Sequence, residues 1–162
     1  MMKTSLTKSE IAARIPHGGP MCLLERVVRW DNEKIQCEAI NHHADDHPLM
    51  QGGILETLAA IEYAAQAMAM HGALIAEANT DANANAASFG QPKVGYLVSV
   101  RDVTCYVASL ESADTPLVII ASRLLGDATQ MMYAFQVHAG TSLCAEGRAA
   151  VFIDANATGI VG

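Results

Sequence analysis

The segment HPLMQGGILETLAAIEYAAQAMAMHG, residues 47–72, constrains the fold more than any other part of the chain. It is apolar or small on nearly every side, and a helix of that kind must be covered by other elements over most of its surface. It also carries a carboxylate, Glu62, near its middle and a glutamine, Gln66, one turn later. Burying a carboxylate without a partner is costly. Glu62 therefore needs a structural partner, such as Arg26 or Arg101, or a chemical task. Residues 54–76 are long enough to span a bilayer. They contain Glu56, Glu62, Gln66 and His71, however, and a mid-membrane carboxylate alone costs about 2.5–3.5 kcal/mol. The expectation is the core helix of a soluble, cytoplasmic protein without membrane insertion. Gly52 and Gly53 lead into that helix, and it ends near Gly72 or at Glu77.

Strand patterns surround it. Thr7-x-x-Glu10 is a capping box for a short helix that Pro16 closes. MCLLERVVRW (21–30) and IQCEAINH (35–42) read as a hairpin about the turn 31–34. Residues 77–92, biased toward Ala and Asn, read as a loop. Strand-like runs follow at 94–108, 116–125, 131–139 and 143–153. The order is hairpin, long helix, antiparallel meander, which predicts an α+β fold with a curved sheet wrapped around the helix. The 162 residues are expected to form one domain, with 1–16 as N-terminal helix and lead-in and 155–162 as a frayed tail. One sheet covers only part of such a helix, so a dimer is expected.

Composition narrows the function classes. A chain that is 51% hydrophobic and 17% charged is globular rather than disordered. A formal charge of −7 argues against nucleic acid as a partner. Cys22, Cys37, Cys105 and Cys144 are widely spread, with no CxxC pair. They read as buried free thiols of a reducing compartment rather than as a zinc site. The first sixteen residues lack the apolar core of a signal peptide. There is no GxGxxG or P-loop pattern.

Two motifs together resemble one family. RIPHGGPMCLLERVV (14–28) resembles the LPHRxPFLLVDRV opening of bacterial 3-hydroxyacyl-[acyl-carrier-protein] dehydratases. His47-Pro48, then Gly52-Gly53, then IEYAAQ (61–66) resembles their His-Phe-Pro turn, helix-start glycine and Glu-x-x-x-Gln helix. The chain is similar in particular to the smaller branch found in aryl-polyene and related polyketide clusters, whose helix reads IEYMAQ. The resemblance covers essentially the whole chain and implies the hotdog fold, a long helix wrapped by an antiparallel sheet, assembled as a homodimer or higher even oligomer. Three features depart from the family pattern, the first being the His turn, which reads DHPLMQGG (46–53) rather than GHFPGxPxxPG. The Gly-to-Glu spacing is about one helical turn longer, and Glu56 sits nearer the position that the shorter spacing implies.

Dehydration of a 3-hydroxyacyl thioester needs a base for the α-proton, an acid for the departing β-hydroxyl, and donors for the thioester carbonyl. By this resemblance His47 is the candidate base, with Asp45 and Asp46 able to influence it. Glu62 is the candidate acid, since burial raises a carboxyl pKa. Gln66, at i+4 on the same face, orients it. Glu56 has Ala60 at that offset, so Glu62 is preferred. Backbone N–H groups at Gly52 and Gly53 offer an oxyanion site, on the expectation that these glycines start the helix. His17 matches a motif position and reads as structural, as do His71 and His138, which lack evident partners. The chemistry requires no metal, nucleotide or other cofactor. Partners are then an acyl carrier protein or coenzyme A thioester. The alternatives are a hotdog thioesterase, with Glu62 or Asp46 activating water, and a non-catalytic subunit that binds acyl chains or completes a heterodimer. Carrier proteins are acidic, as is this chain, so docking one needs a local basic patch. Lys93, Arg101, Arg123 and Arg148 are the candidates.

Overall fold

The computed structural model describes residues 5–82, 94–127 and 129–154. The predicted capping box is present. Thr7 Oγ1 accepts from the Glu10 amide, and the Glu10 carboxylate accepts from the Thr7 amide, at the start of α1 (Lys8–Ala12). Thr7 also belongs to the short strand β1 (Leu6–Thr7). The hairpin is β2 (Arg26–Trp30) and β3 (Lys34–Ala39). The first strand is shorter than its apolar run suggests. Gly19–Met21 form a 3-10 turn, and the Leu23 amide donates to the Gln66 side chain rather than to a neighbouring strand.

The long helix α2 spans Ala60–Ala82 and runs straight through Gly72. Its start corrects the expectation drawn from the glycines. Gly52 and Gly53 both hold left-handed backbone, φ +59° and +76°. They form a two-residue turn in which Gln51 and Ile54 exchange amide-carbonyl hydrogen bonds at 2.9 and 3.0 Å. Consecutive left-handed residues suit such a tight hairpin turn and cannot continue into a right-handed helix. Residues 54–56 then run extended. The Leu55 amide donates to Glu111 Oε2 and the Thr57 hydroxyl to the Val107 carbonyl. A 3-10 turn, Thr57–Ala59, finally leads into α2. The extra helical turn of spacing after Gly53 is thus not helix but an extended tether.

The meander follows as β4 (Val94–Cys105), β5 (Leu117–Gly126), β6 (Gln130–Ala139) and β7 (Ser142–Asp154). With β1 to β3 it makes an antiparallel seven-stranded sheet in the order β1-β2-β3-β5-β6-β7-β4. Alternate residues face the helix: Ile35, Cys37 and Ala39 from β3, Leu117, Ile119 and Ala121 from β5, Met131, Tyr133, Phe135 and Val137 from β6. They pack against Tyr63, Ala64, Ala67, Met70 and Leu74 of α2. Among the described residues strand β4 pairs only with β7 and forms an edge of the sheet, with Leu97 and Val98 exposed.

Three of the four thiols are buried, as expected, but Cys105 at the end of β4 is exposed. Residues 77–82, read as loop, belong to α2. The rest of that loop, Lys93 and the tail 155–162 lie outside the described residues. No helix among the described residues is long and apolar enough to cross a membrane.

Candidate active site

His47 sits in the irregular connection between β3 and the glycine turn, and it is only 5% exposed. Its ring is held on both sides. The Leu49 amide donates to Nδ1 at 3.1 Å. Nε2 lies 2.9 Å from the hydroxyl of Tyr63, which in turn donates to Asn41 Oδ1 at 2.7 Å. Burial holds the imidazole below its ordinary pKa, and neighbouring His42 pushes the same way, while Asp46 pushes it up. Asp46 therefore does influence the ring, though less than burial. Burial also raises the phenol of Tyr63 well above the usual range.

Glu62 is adjacent to Tyr63 in sequence but points elsewhere, because successive helical residues are about 100° apart. Its neighbours are Gln66, whose Nε2 donates to Oε1 at 3.2 Å, and His17, whose Nε2 lies 3.4 Å from the same oxygen. The expected Glu62–Gln66 contact is there. The arginine partners weighed for Glu62 are not its partners: Arg26 pairs with Glu38 at 2.7 Å. Nor is Glu62 deeply buried, since its side chain is 35% exposed. Gln66, in contrast, is fully buried. It accepts from the Leu23 amide at 2.9 Å and donates to the Met21 carbonyl at 2.8 Å. This clamp fastens the segment after His17 to α2 and so presents His17 to Glu62.

Within one chain, then, His47 and Glu62 are not brought together. Glu62 stands on a stripe with Leu58, Ala65, Ala69, Ala73 and Ala76 that the chain leaves partly or fully open. Glu56 lies before the helix, exposed, in a shallow cleft of about 390 Å³ shared with Leu58, Cys105, Ser109 and Glu111. The extended tether takes it off the helix face that carries Glu62 and Gln66. Gly52 and Gly53 are exposed turn residues, so any donation from them comes without a helix terminus behind it.

Tyr63 and Asn41, which continue the hydrogen bonds of His47, were not singled out in the sequence, and His17, read there as structural, lies beside Glu62. The tyrosine inside IEYAAQ was the available signal, because a buried phenol needs a hydrogen-bond partner. His71 has partners after all. Its Nδ1 lies 2.9 Å from the Tyr133 hydroxyl and its Nε2 2.7 Å from the Asp31 carbonyl, and it ties α2 to the hairpin turn. His42, fully inside, meets the Ala113 carbonyl at 3.0 Å. Of the basic candidates, Arg101 and Arg148 are direct partners across β4 and β7, with Asp102 4.0 Å from Arg148.

A family model described as ApeP-like, ApeP dehydratase, matches residues 9–161. The chain belongs to this dehydratase family. Among solved structures it is similar to a chain of the dehydratase heterocomplex ApeI:P from Xenorhabdus doucetiae. That match has 22% identity over 92% of this chain and 91% of that one, with a TM-score of 0.76. It is also similar to the hypothetical protein SAV0944 from Staphylococcus aureus, at 12% identity over 77% and 88% of the two chains, with a TM-score of 0.54. No curated protein matches the sequence. The fold is the hotdog fold that the two sequence motifs implied. The family is one of dehydratases, so a lyase takes precedence over the thioesterase alternative.

Proposed function

We propose that this protein dehydrates 3-hydroxyacyl thioesters, carried by an acyl carrier protein, to trans-2-enoyl thioesters. It acts as a cytoplasmic dimer whose sites combine His47 of one protomer with Glu62 of the other. The observation that carries this reading is the placement of Glu62. It stands on the open, small-residue stripe of α2, away from the His47 of its own chain. Alanines along such a stripe let a second backbone approach closely, and β4, an edge of the sheet among the described residues, offers that copy main-chain pairing.

In the reaction His47 takes the α-proton. The electrons of the broken Cα–H bond form the Cα=Cβ double bond. The Cβ–O bond breaks, and the hydroxyl leaves as water with the proton of the Glu62 carboxyl. Returning the proton from imidazolium to carboxylate restores the enzyme. The exposed amides of Gly52 and Gly53 can donate to the thioester carbonyl as turn amides. Arg101 and Arg148, exposed neighbours across β4 and β7, are basic groups open to an acidic carrier protein, with Asp102 at 4.0 Å from Arg148 offsetting part of their charge.

A second reading is that the covering partner is a different hotdog subunit. Both ring nitrogens of His47 are engaged inside the chain, and the similar Xenorhabdus chain belongs to a heterocomplex. The test is interconversion of 3-hydroxyacyl and enoyl thioesters by the purified chain. His47→Ala and Glu62→Gln should each abolish it. If Glu56→Gln does so and Glu62→Gln does not, the acid is Glu56. An inactive homodimer that gains activity with a second hotdog chain supports the second reading.

A further inference from the structure

The hydrogen bonds around His47 have a fixed direction. A backbone N–H can only donate, so the Leu49 amide at 3.1 Å makes Nδ1 an acceptor with its lone pair exposed to that amide. The neutral ring must then carry its proton on Nε2. Nε2–H points at the Tyr63 oxygen, 2.9 Å away, and the phenol proton is already committed to Asn41 Oδ1 at 2.7 Å. Every donor and acceptor in the series Leu49–His47–Tyr63–Asn41 is matched in this sense and in no other. Tyr63 is fully buried on α2, and Asn41 sits in the 3-10 turn Asn41–His43, so a rigid helix and a short turn hold the ring from one side. Among the described residues it is held from the other side by its own loop, whose Leu49 and Pro48 are exposed.

From this geometry we infer that Tyr63 and Asn41 are positioning residues for the dehydration, and that Nδ1 of His47 is the nitrogen that receives the substrate α-proton. The inference rests on His47 being the base. Tyr63 fixes the tautomer and plane of the ring through Nε2–H, and an acceptor on the second ring nitrogen makes the imidazole a better base. Nδ1 is freed when the exposed residues 48–49 shift and the Leu49 amide leaves it. The α-carbon then occupies the place of that amide. The proton transfer converts neutral imidazole to imidazolium, with Nε2–H still held by Tyr63 and Tyr63 by Asn41.

The test combines kinetics with ¹⁵N spectra of the histidine ring. Tyr63→Phe should lower kcat by about 10-fold or more with KM within about twofold, the pattern of a lost transition-state contribution. It should also move the acid limb of the pH–rate profile to lower pH, because the imidazolium loses an acceptor while His42 and Asp46 remain. Asn41→Leu should follow Tyr63→Phe, and Asn41→Asp, which keeps the acceptor, should restore kcat. Thermal melts separate these effects from misfolding, and Asn41→Asp serves as the folded control. The spectra need no turnover: in the wild type the His47 ring should show Nε2 protonated and Nδ1 bare. Two results overturn the inference, whether or not the chain is active alone. One is a proton on Nδ1. The other is an unchanged His47 titration in Tyr63→Phe. Activity surviving in His47→Ala instead overturns the assignment of the base, on which the inference rests.

Discussion

Replacing Gln66 by leucine tests the link between the N-terminal segment and the central helix. The two side chains are close in size, so the change removes polar contacts with little loss of packing. Gln66 is fully buried and makes three hydrogen bonds, from the Leu23 amide and to the Met21 and Glu62 oxygens. The Leu23 residue is 1% exposed, so its amide has no route to water once the glutamine is gone. A buried backbone group left unpaired costs about 1–3 kcal/mol. Met21 is 40% exposed, and its carbonyl can recover hydration, so it adds only part of a second penalty. The expected loss is about 2–3 kcal/mol. At a urea slope of about 1–3 kcal/mol/M, the unfolding midpoint should fall by roughly 1–2 M with the slope unchanged. Activity should fall as well, because Glu62 loses its i+4 donor and His17 its anchored segment. A midpoint within about 0.3 M of wild type would refute the clamp, since that corresponds to less than one buried unsatisfied group.

Acid should destabilise the protein through its buried histidines. His42, His47 and His71 all have folded pKa values lowered chiefly by burial. A group with a depressed folded pKa contributes fully above its unfolded value of about 6.5, and that contribution is lost as pH falls toward the folded value. Urea midpoints should hold from pH 8 to 7 and decline steadily below about pH 6.5, and His71→Asn should flatten part of that decline. A midpoint that rises on acidification would contradict the burial of these rings. Thiol labelling of the native protein should be fast at Cys105 alone. Cys22, Cys37 and Cys144 are buried, and burial pushes the Cys37 thiol up to about 12. Peptide mapping after brief alkylation reads this directly, and early modification of Cys37 would show that the β3 core opens.

The sequence carried a good deal of the architecture. Apolar, strand-like runs announced the hairpin and meander strands, and five of those strands begin within a residue or so of their runs, as at Lys34, Val94, Leu117, Gln130 and Ser142. The capping box at Thr7 and Glu10 also follows from residues three apart. Such features are local: propensity, alternation and side chain-to-backbone bonds decide them within a few positions. The helix start was less legible. Paired glycines suit a helix entrance as well as a tight turn, and pairing of residues 55–57 with 107–110, over fifty positions away, chose the turn.

The candidate site divides in the same way. The sequence by itself determined which chemical groups the chain carries: a histidine before a proline, and a carboxylate with a glutamine one turn on. Helical geometry alone put Glu62 and Gln66 on one face. Only the tertiary structure decided what each group meets. It spent Gln66 mainly on the backbone of Met21 and Leu23, set His17 beside Glu62, and turned His47 toward Tyr63 and Asn41. It also left Glu62 on the open stripe of α2. The physical reason is that buried donors and acceptors must be satisfied by whatever the fold brings near. That matching is settled across the sheet and helix together, not along the chain.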